Sequence, residues 1–206
     1  MRLTSESKIL LAIVGITILV ITIAAVVLTK PAPTFTKADL ITPTAYTRGN
    51  PQAKTYLVEF SDFQCPACLA AKPVVDDIIK TNGEKLFFAY RNFPLDQHPL
   101  SHQAAKTAEA AGRQGKYWEM FDLLFANQDK FSDALFPQLA DQLKLDKTKF
   151  VADMGDPAIN NKILDDIAAG ARFGVDSTPT FFLNGKKLTI NSFDDLKTAV
   201  TQAVNQ

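Results

Sequence analysis

The hydrophobic pattern changes character three times along the chain. Residues 9–28, ILLAIVGITILVITIAAVVL, carry no charge, and only Thr17 and Thr22 interrupt them with a polar group. Twenty residues of helix at about 1.5 Å each cover roughly 30 Å, the thickness of a bilayer's hydrocarbon core. The run predicts a transmembrane signal anchor at 9–28 behind a cytoplasmic N-terminus at 1–8. A small-x-small pattern at Thr22 and Ala24 leaves cleavage open. Arg2 and Lys8 on one side and Lys30 and Lys37 on the other leave orientation undecided by charge. Residues 29–50 carry prolines and no helical period, and read as an extended tether.

From residue 51 onward the pattern becomes that of a folded domain. TYLVEFS (55–61) is β-branched and aromatic, the composition of a buried strand. A helix follows from Cys65 or Pro66 to Lys80; Pro66 suits a first turn, and Pro73 predicts a kink. KLFFAYRNF (85–93) is a second strand. A long helical stretch comes next. It is Ala-rich at first, then places Tyr117, Phe121, Leu124 and Phe125 on one face, then Leu135, Leu139 and Leu143. Asp156-Pro157 reads as a cap and first-turn proline, with Ile159, Ile163 and Ile167 in line behind it. TPTFFLNGKKLTI (178–190) returns to strand, and its Asn184-Gly185 is a hairpin signal. Ser192, with Asp195 three residues on, caps a terminal helix facing inward through Leu196, Val200 and Ala203.

Composition narrows the classes. Of 206 residues 47% are hydrophobic, with only 9 glycines and 11 prolines, which fits a folded chain and not a disordered one. Lys plus Arg equals Asp plus Glu, 22 each, and no basic run is interleaved with aromatics, so no nucleic-acid partner is expected. The two cysteines, Cys65 and Cys68, are too few for a disulfide scaffold, so their chemistry should be local.

In SDFQCPAC (61–68) they stand three apart where a strand gives way to a helix. As a redox pair they make chemical sense. A thiol at a helix N-terminus meets unpaired N–H groups and the positive end of the dipole, which favour the thiolate. Cys65 would be the exposed nucleophile and Cys68, one turn in, the resolving thiol. C-x2-C is also half of a zinc site, and His98 and His102 stand at H-x3-H spacing. The 29 residues between Cys68 and His98 exceed the usual gap, and a domain of this size has its own core and needs no metal to fold. The histidines otherwise read as structural, His98 fixing the entry to a helix and His102 on a helix surface.

VEFSDFQCPAC, RNFPLDQHPLSHQAA and STPTFFLNG together resemble the DsbA-like thiol-disulfide oxidoreductases of the thioredoxin superfamily, specifically the membrane-anchored bacterial members with a helical insertion. The resemblance covers about 45–206. It implies an α/β thioredoxin-like fold at 51–206, with an inserted helical domain at about 95–173, preceded by the one transmembrane helix. It also implies that Pro179 is cis beside the active disulfide, leaving the backbone of Thr178 to pair with an extended substrate segment. Glu59, six before Cys65, stands where the family carries a buried acid; its pKa should be raised, and it could exchange a proton with Cys68 through water. The plain alternative is a surface glutamate alternating with Val58 and Phe60.

The function expected is disulfide formation in exported proteins by exchange at Cys65-Pro66-Ala67-Cys68, with no cofactor beyond the redox-active Cys65–Cys68 disulfide and no metal. Substrates would be unfolded or exported protein thiols. The re-oxidising partner would be a membrane protein of DsbB or VKOR type. The location would be the bacterial cell membrane, single-pass, with the domain on the extracytoplasmic side. Strongly oxidising members carry Pro-His inside the motif, where this chain has Pro66 and Ala67. That departure suggests a weaker oxidant and keeps a reductase or isomerase, or a redox-silent peptide-binding chaperone, as alternatives.

Overall fold

The computed structural model describes residues 4–28 and 33–206, which fall into two units divided after Pro33. In the first, α1 (Ser5–Leu28) is a single helix. Thr17 and Thr22 do not break it, because their hydroxyls donate to the carbonyls of Ile13, Ile18 and Leu19 at 2.8–2.9 Å. No helix of the described residues is long and apolar enough to cross a membrane. The expected transmembrane anchor at 9–28 therefore finds no support among the described residues. Residues 1–3 of the expected N-terminus and 29–32 of the expected tether, with the flanking charges Arg2 and Lys30, lie outside the described residues.

The second unit is a five-stranded mixed sheet with helices. Its first elements overturn the tether from residue 34 onward. Thr36 and Asp39 form a reciprocal capping box on α2 (Lys37–Leu40), which drives Leu40 fully into the core. Then β1 (Tyr46–Gly49) pairs antiparallel with β3 (Leu86–Asn92). A four-residue helix and a four-residue strand are too short to show a period, which is why the stretch reads as featureless.

At the centre, β2 (Thr55–Ser61) runs parallel to β3 and antiparallel to β4 (Thr180–Leu183), and β5 (Lys186–Lys187) closes the order β1-β3-β2-β4-β5. Asn184 and Gly185 turn the β4–β5 hairpin with φ of 49° and 87°, the two positive values a tight hairpin demands. Between β2 and β3 comes α3 (Pro66–Asn82), which runs unbroken through Pro73. Between β3 and β4 lie α4 (Ser101–Gly112), α5 (Tyr117–Ala126), α6 (Leu135–Gln142), α7 (Lys147–Met154) and α8 (Pro157–Arg172), and α9 (Phe193–Val204) ends the chain. This is the mixed α/β fold with a helical insertion.

The sheet is buried on both faces, so β2 is not a half-wet strand. Val58 and Phe60 pack with Phe93 and Phe182, while Leu57 on the other face joins the larger core shared with α3 and α5. Strand alternation puts Glu59 and Ser61 on that second face. They are 4% and 1% exposed. The surface reading of Glu59 fails because this strand has no solvent face.

Candidate active site

Strand β2 ends at Ser61 and the chain turns through residues 62–64 into α3. Cys65 is the N-cap, with extended φ and ψ of −78° and 123°, and Pro66 takes the first helical position, where a missing N–H costs nothing. Cys65 is 6% exposed and Cys68, one turn further in, 0%. Pro66, Ala67 and Leu69 stand exposed around the rim. Both cysteines are free thiols. The Cys65 thiol donates to the carbonyl of Thr178 at 3.4 Å, and the N–H of Asp62 donates to Cys68 Sγ at 3.5 Å. The Thr178–Pro179 peptide is cis. Folding thus brings Cys65, Cys68, Thr178 and Pro179 into one place across more than a hundred residues of sequence.

The two thiols have opposite acidities. Cys65 is lowered to about 5, first by the facing Cys68 thiol, then by Thr178 and the N–H groups of Cys68 and Ala67, with burial opposing. Cys68 is driven far upward, first by burial, then by Cys65 and by the charge of Glu59. Glu59 is raised to about 7 by burial, with Ser61 opposing, Asp76 adding to the rise and Lys72 working against it. Ser61 Oγ, buried on the same face of β2, has no hydrogen-bond partner among the described residues.

Neither histidine turns toward the cysteines as a zinc ligand. His98 Nδ1 lies 2.7 Å from Asp62 Oδ2. Asp62 itself is fully buried and holds the turn as an acceptor for Ser101 Oγ at 2.5 Å and for the N–H groups of Gln64 and Leu95 at 2.7 and 2.9 Å. Among the described residues no three His, Cys, Asp or Glu side chains converge as a metal site. His102 is half-buried, not on the surface, and burial lowers its pKa.

One supporting residue leaves no trace in the sequence pattern. Gln128, in a 3-10 turn (Gln128–Lys130) after α5, donates its amide to the carbonyls of Phe63 and Cys65 at 2.9 and 3.0 Å. The helical insertion therefore grips the loop that carries Cys65. Gln64 answers in kind, accepting the N–H of Leu100 at 2.8 Å.

Two thiols held so far apart in acidity, the more acidic one against a backbone carbonyl, suit thiol–disulfide exchange. Residues 41–202 match the thioredoxin family, and the chain belongs to it. Among solved structures it is similar to a thioredoxin-like oxidoreductase from Silicibacter pomeroyi, with 26% identity, TM-score 0.72, and 84% of this chain and 99% of that one covered. It is also similar to the thiol-disulfide exchange protein alpha-DsbA2 from Wolbachia pipientis, with 23% identity, TM-score 0.72, and 81% and 91% covered. Among curated proteins it is 38% identical over 143 residues to Na(+)/H(+) antiporter NhaA 3 of Salinispora tropica, covering 69% of this chain and 22% of that protein. The chain spans about a quarter or less of the curated relatives it matches. Relatives that bear an antiporter's name, and the lack of a spanning helix among the described residues, overturn the expected location as a single-pass cell-membrane protein with an extracytoplasmic domain.

Proposed function

We propose that the chain forms disulfides in protein thiols, with Cys65 as nucleophile and Cys68 as resolver. The observation that carries this is Cys65 at the N-terminus of α3, acidified and facing the carbonyl of Thr178. A substrate thiolate attacks Cys65 of the oxidised pair, forming a mixed disulfide and releasing Cys68. A second substrate thiol resolves it, and the protein is left as the dithiol. Thr178 and Pro179 flank Cys65 and would receive an extended substrate segment, the backbone of Thr178 pairing with it. Glu59, buried and near neutral in pKa, would trade a proton with Cys68. The redox-active Cys65–Cys68 disulfide is the whole of the cofactor. Exported proteins are the fitting substrates, and an oxidant of DsbB or VKOR type would restore the disulfide.

A stabilised Cys65 thiolate stabilises the reduced form, and that makes a protein oxidising. The contrary observation is Ala67, exposed beside Cys65 where a histidine would strengthen the effect; it favours a milder potential and a reductase or isomerase as second reading. Equilibration with glutathione tests the direction. A potential above roughly −200 mV supports the oxidant, one below about −250 mV the reductase. Cys65→Ser abolishes exchange and Cys68→Ser accumulates mixed disulfides; exchange surviving Cys65→Ser would end the catalytic reading.

A further inference from the structure

A cleft of about 580 Å³ opens between residues 42–46 on one side and helices α4 and α8 on the other. That volume lies within the range of small-molecule sites. None of Cys65, Cys68, Thr178 and Pro179 lines it, so it stands apart from the exchange site.

Most charges in the cleft are matched within the protein. Lys162 Nζ is 2.6 Å from each oxygen of Glu109 and lies 4.2 Å over the Tyr46 ring. Arg113 holds Asp153 and Asp156. Three lining groups keep unused capacity. Arg91, 1% exposed, gives Nε to Asp166 and Nη1 to the carbonyl of Leu40, but its Nη2 has no partner among the described residues. The Tyr46 hydroxyl also has no partner among them. Burial, and then the charge of Glu109, hold that phenol well above its ordinary range, so it remains an O–H donor at neutral pH. Asp165, exposed on α8, pairs with no cation among the described residues.

These leftovers select a ligand. A guanidinium cannot shed its charge, and a buried N–H without an acceptor is costly. A carboxylate is the acceptor that suits it best. A bare cation would satisfy Asp165 but would face Arg91, Arg113 and Lys162. A bare anion would satisfy Arg91 but would leave Asp165 unpaired. A molecule with a carboxylate at one end and an ammonium at the other answers both, and the cleft is larger than a single amino acid needs.

We propose that this cleft binds a short peptide with both termini free. Its carboxylate accepts from Arg91 Nη2 and the Tyr46 hydroxyl, and its ammonium pairs with Asp165 at the rim. This is a second peptide site, separate from the extended segment that Thr178 would receive.

Calorimetry on the full chain tests it with three probes: trialanine with free termini, its N-acetyl form and its C-terminal amide. Trialanine binds with a Kd below about 1 mM. The amide offers Arg91 no carboxylate and binds about tenfold more weakly. The N-acetyl form loses only a solvent-exposed pair and binds about threefold more weakly. Asp165→Asn weakens trialanine about threefold and leaves the N-acetyl form unchanged, because that form has no ammonium to lose. Tyr46→Phe weakens trialanine and the N-acetyl form alike, by about fivefold. Asp165 is exposed and Tyr46→Phe removes one oxygen, so both variants keep the fold. Cys65→Ser changes none of these affinities, which separates the cleft from the exchange site. No heat at ten times the expected Kd overturns the proposal. So does equal binding of the three probes, or trialanine binding that either Asp165→Asn or Tyr46→Phe leaves unchanged.

Discussion

Glu59 works against the fold that holds it, and the cost depends on pH. Its pKa in the folded chain is about 7, raised from 4.5 chiefly by burial. The folded state therefore binds more protons than the unfolded state between those values, and stability falls as pH rises through them. Below about 4.5 the carboxyl is neutral in both states and the penalty vanishes; above about 7 it is complete, on the order of 3 kcal/mol. Glu59→Gln keeps the shape without the charge. Urea denaturation of the reduced protein should show it more stable than wild type by about that much at pH 8, with the difference gone at pH 4.5. Equal stabilities at pH 8 would mean the carboxyl is hydrated in the fold. A residue that lowers stability at working pH and lines one cavity with Cys68 fits a place in chemistry better than one in packing.

At the scale of elements, the site is a loop held from both sides. Asp62 fastens it to the segment ahead of α4, and Gln128 fastens it to the turn after α5. Phe63 packs against Phe125 and Tyr90, with ring centroids 5.2 and 5.3 Å apart, so the same loop is anchored in the core. Gln128→Ala removes two hydrogen bonds to loop carbonyls and should cost about 1–2 kcal/mol in chemical denaturation. It should leave the sheet intact by circular dichroism and change the pH midpoint of Cys65 alkylation little, because Gln128 touches carbonyls and not the sulfur. A loss under about 0.3 kcal/mol would mean water replaces the amide. How much of this the sequence disclosed follows from range. Cys65, Pro66 and Cys68 are local, and a strand followed by a first-turn proline puts them at a helix start by spacing alone. Asn184-Gly185 is equally local. Gln128 is 65 and 63 residues from the two carbonyls it binds, on a turn with no periodic signal, and only the folded insertion brings it there. Glu59 stands between these cases. Alternation allowed it a wet face, and what buries it is α3 and α5 packing over that face. Residues 34–50 misled because their prolines are visible, whereas the ladder partners of β1 lie forty residues on.

For the whole molecule, the decisive joint is between the sheet and the inserted helices. Arg91, 1% exposed on β3, donates Nε to Asp166 of α8 at 2.5 Å and Nη1 to the carbonyl of Leu40 at 2.9 Å. Next to it Asn92 donates its backbone N–H to Asp166 and its amide to Glu109 of α4, which Lys162 of α8 also holds. One buried polar network thus ties β3 to α2, α4 and α8, and the insertion can present Gln128 to the active loop only while it stays docked. A buried ion pair is worth little over apolar residues of the same shape, but half of one is costly, since the remaining charge has neither water nor partner. Arg91→Leu strands Asp166 and leaves the Leu40 carbonyl without its donor. The expected loss is about 3–5 kcal/mol, a large share of an ordinary domain's stability. Arg91→Met combined with Asp166→Leu removes both charges and should recover most of it, so the double variant should melt well above Arg91→Leu and close to wild type. If the double variant is as unstable as the single, the network holds the domains together by its own hydrogen bonds and not merely by avoiding a stranded charge. In either case Cys65 should lose its low pKa only where the insertion has let go, so alkylation against pH, measured on the same proteins, reports whether docking and Cys65 acidity fail together.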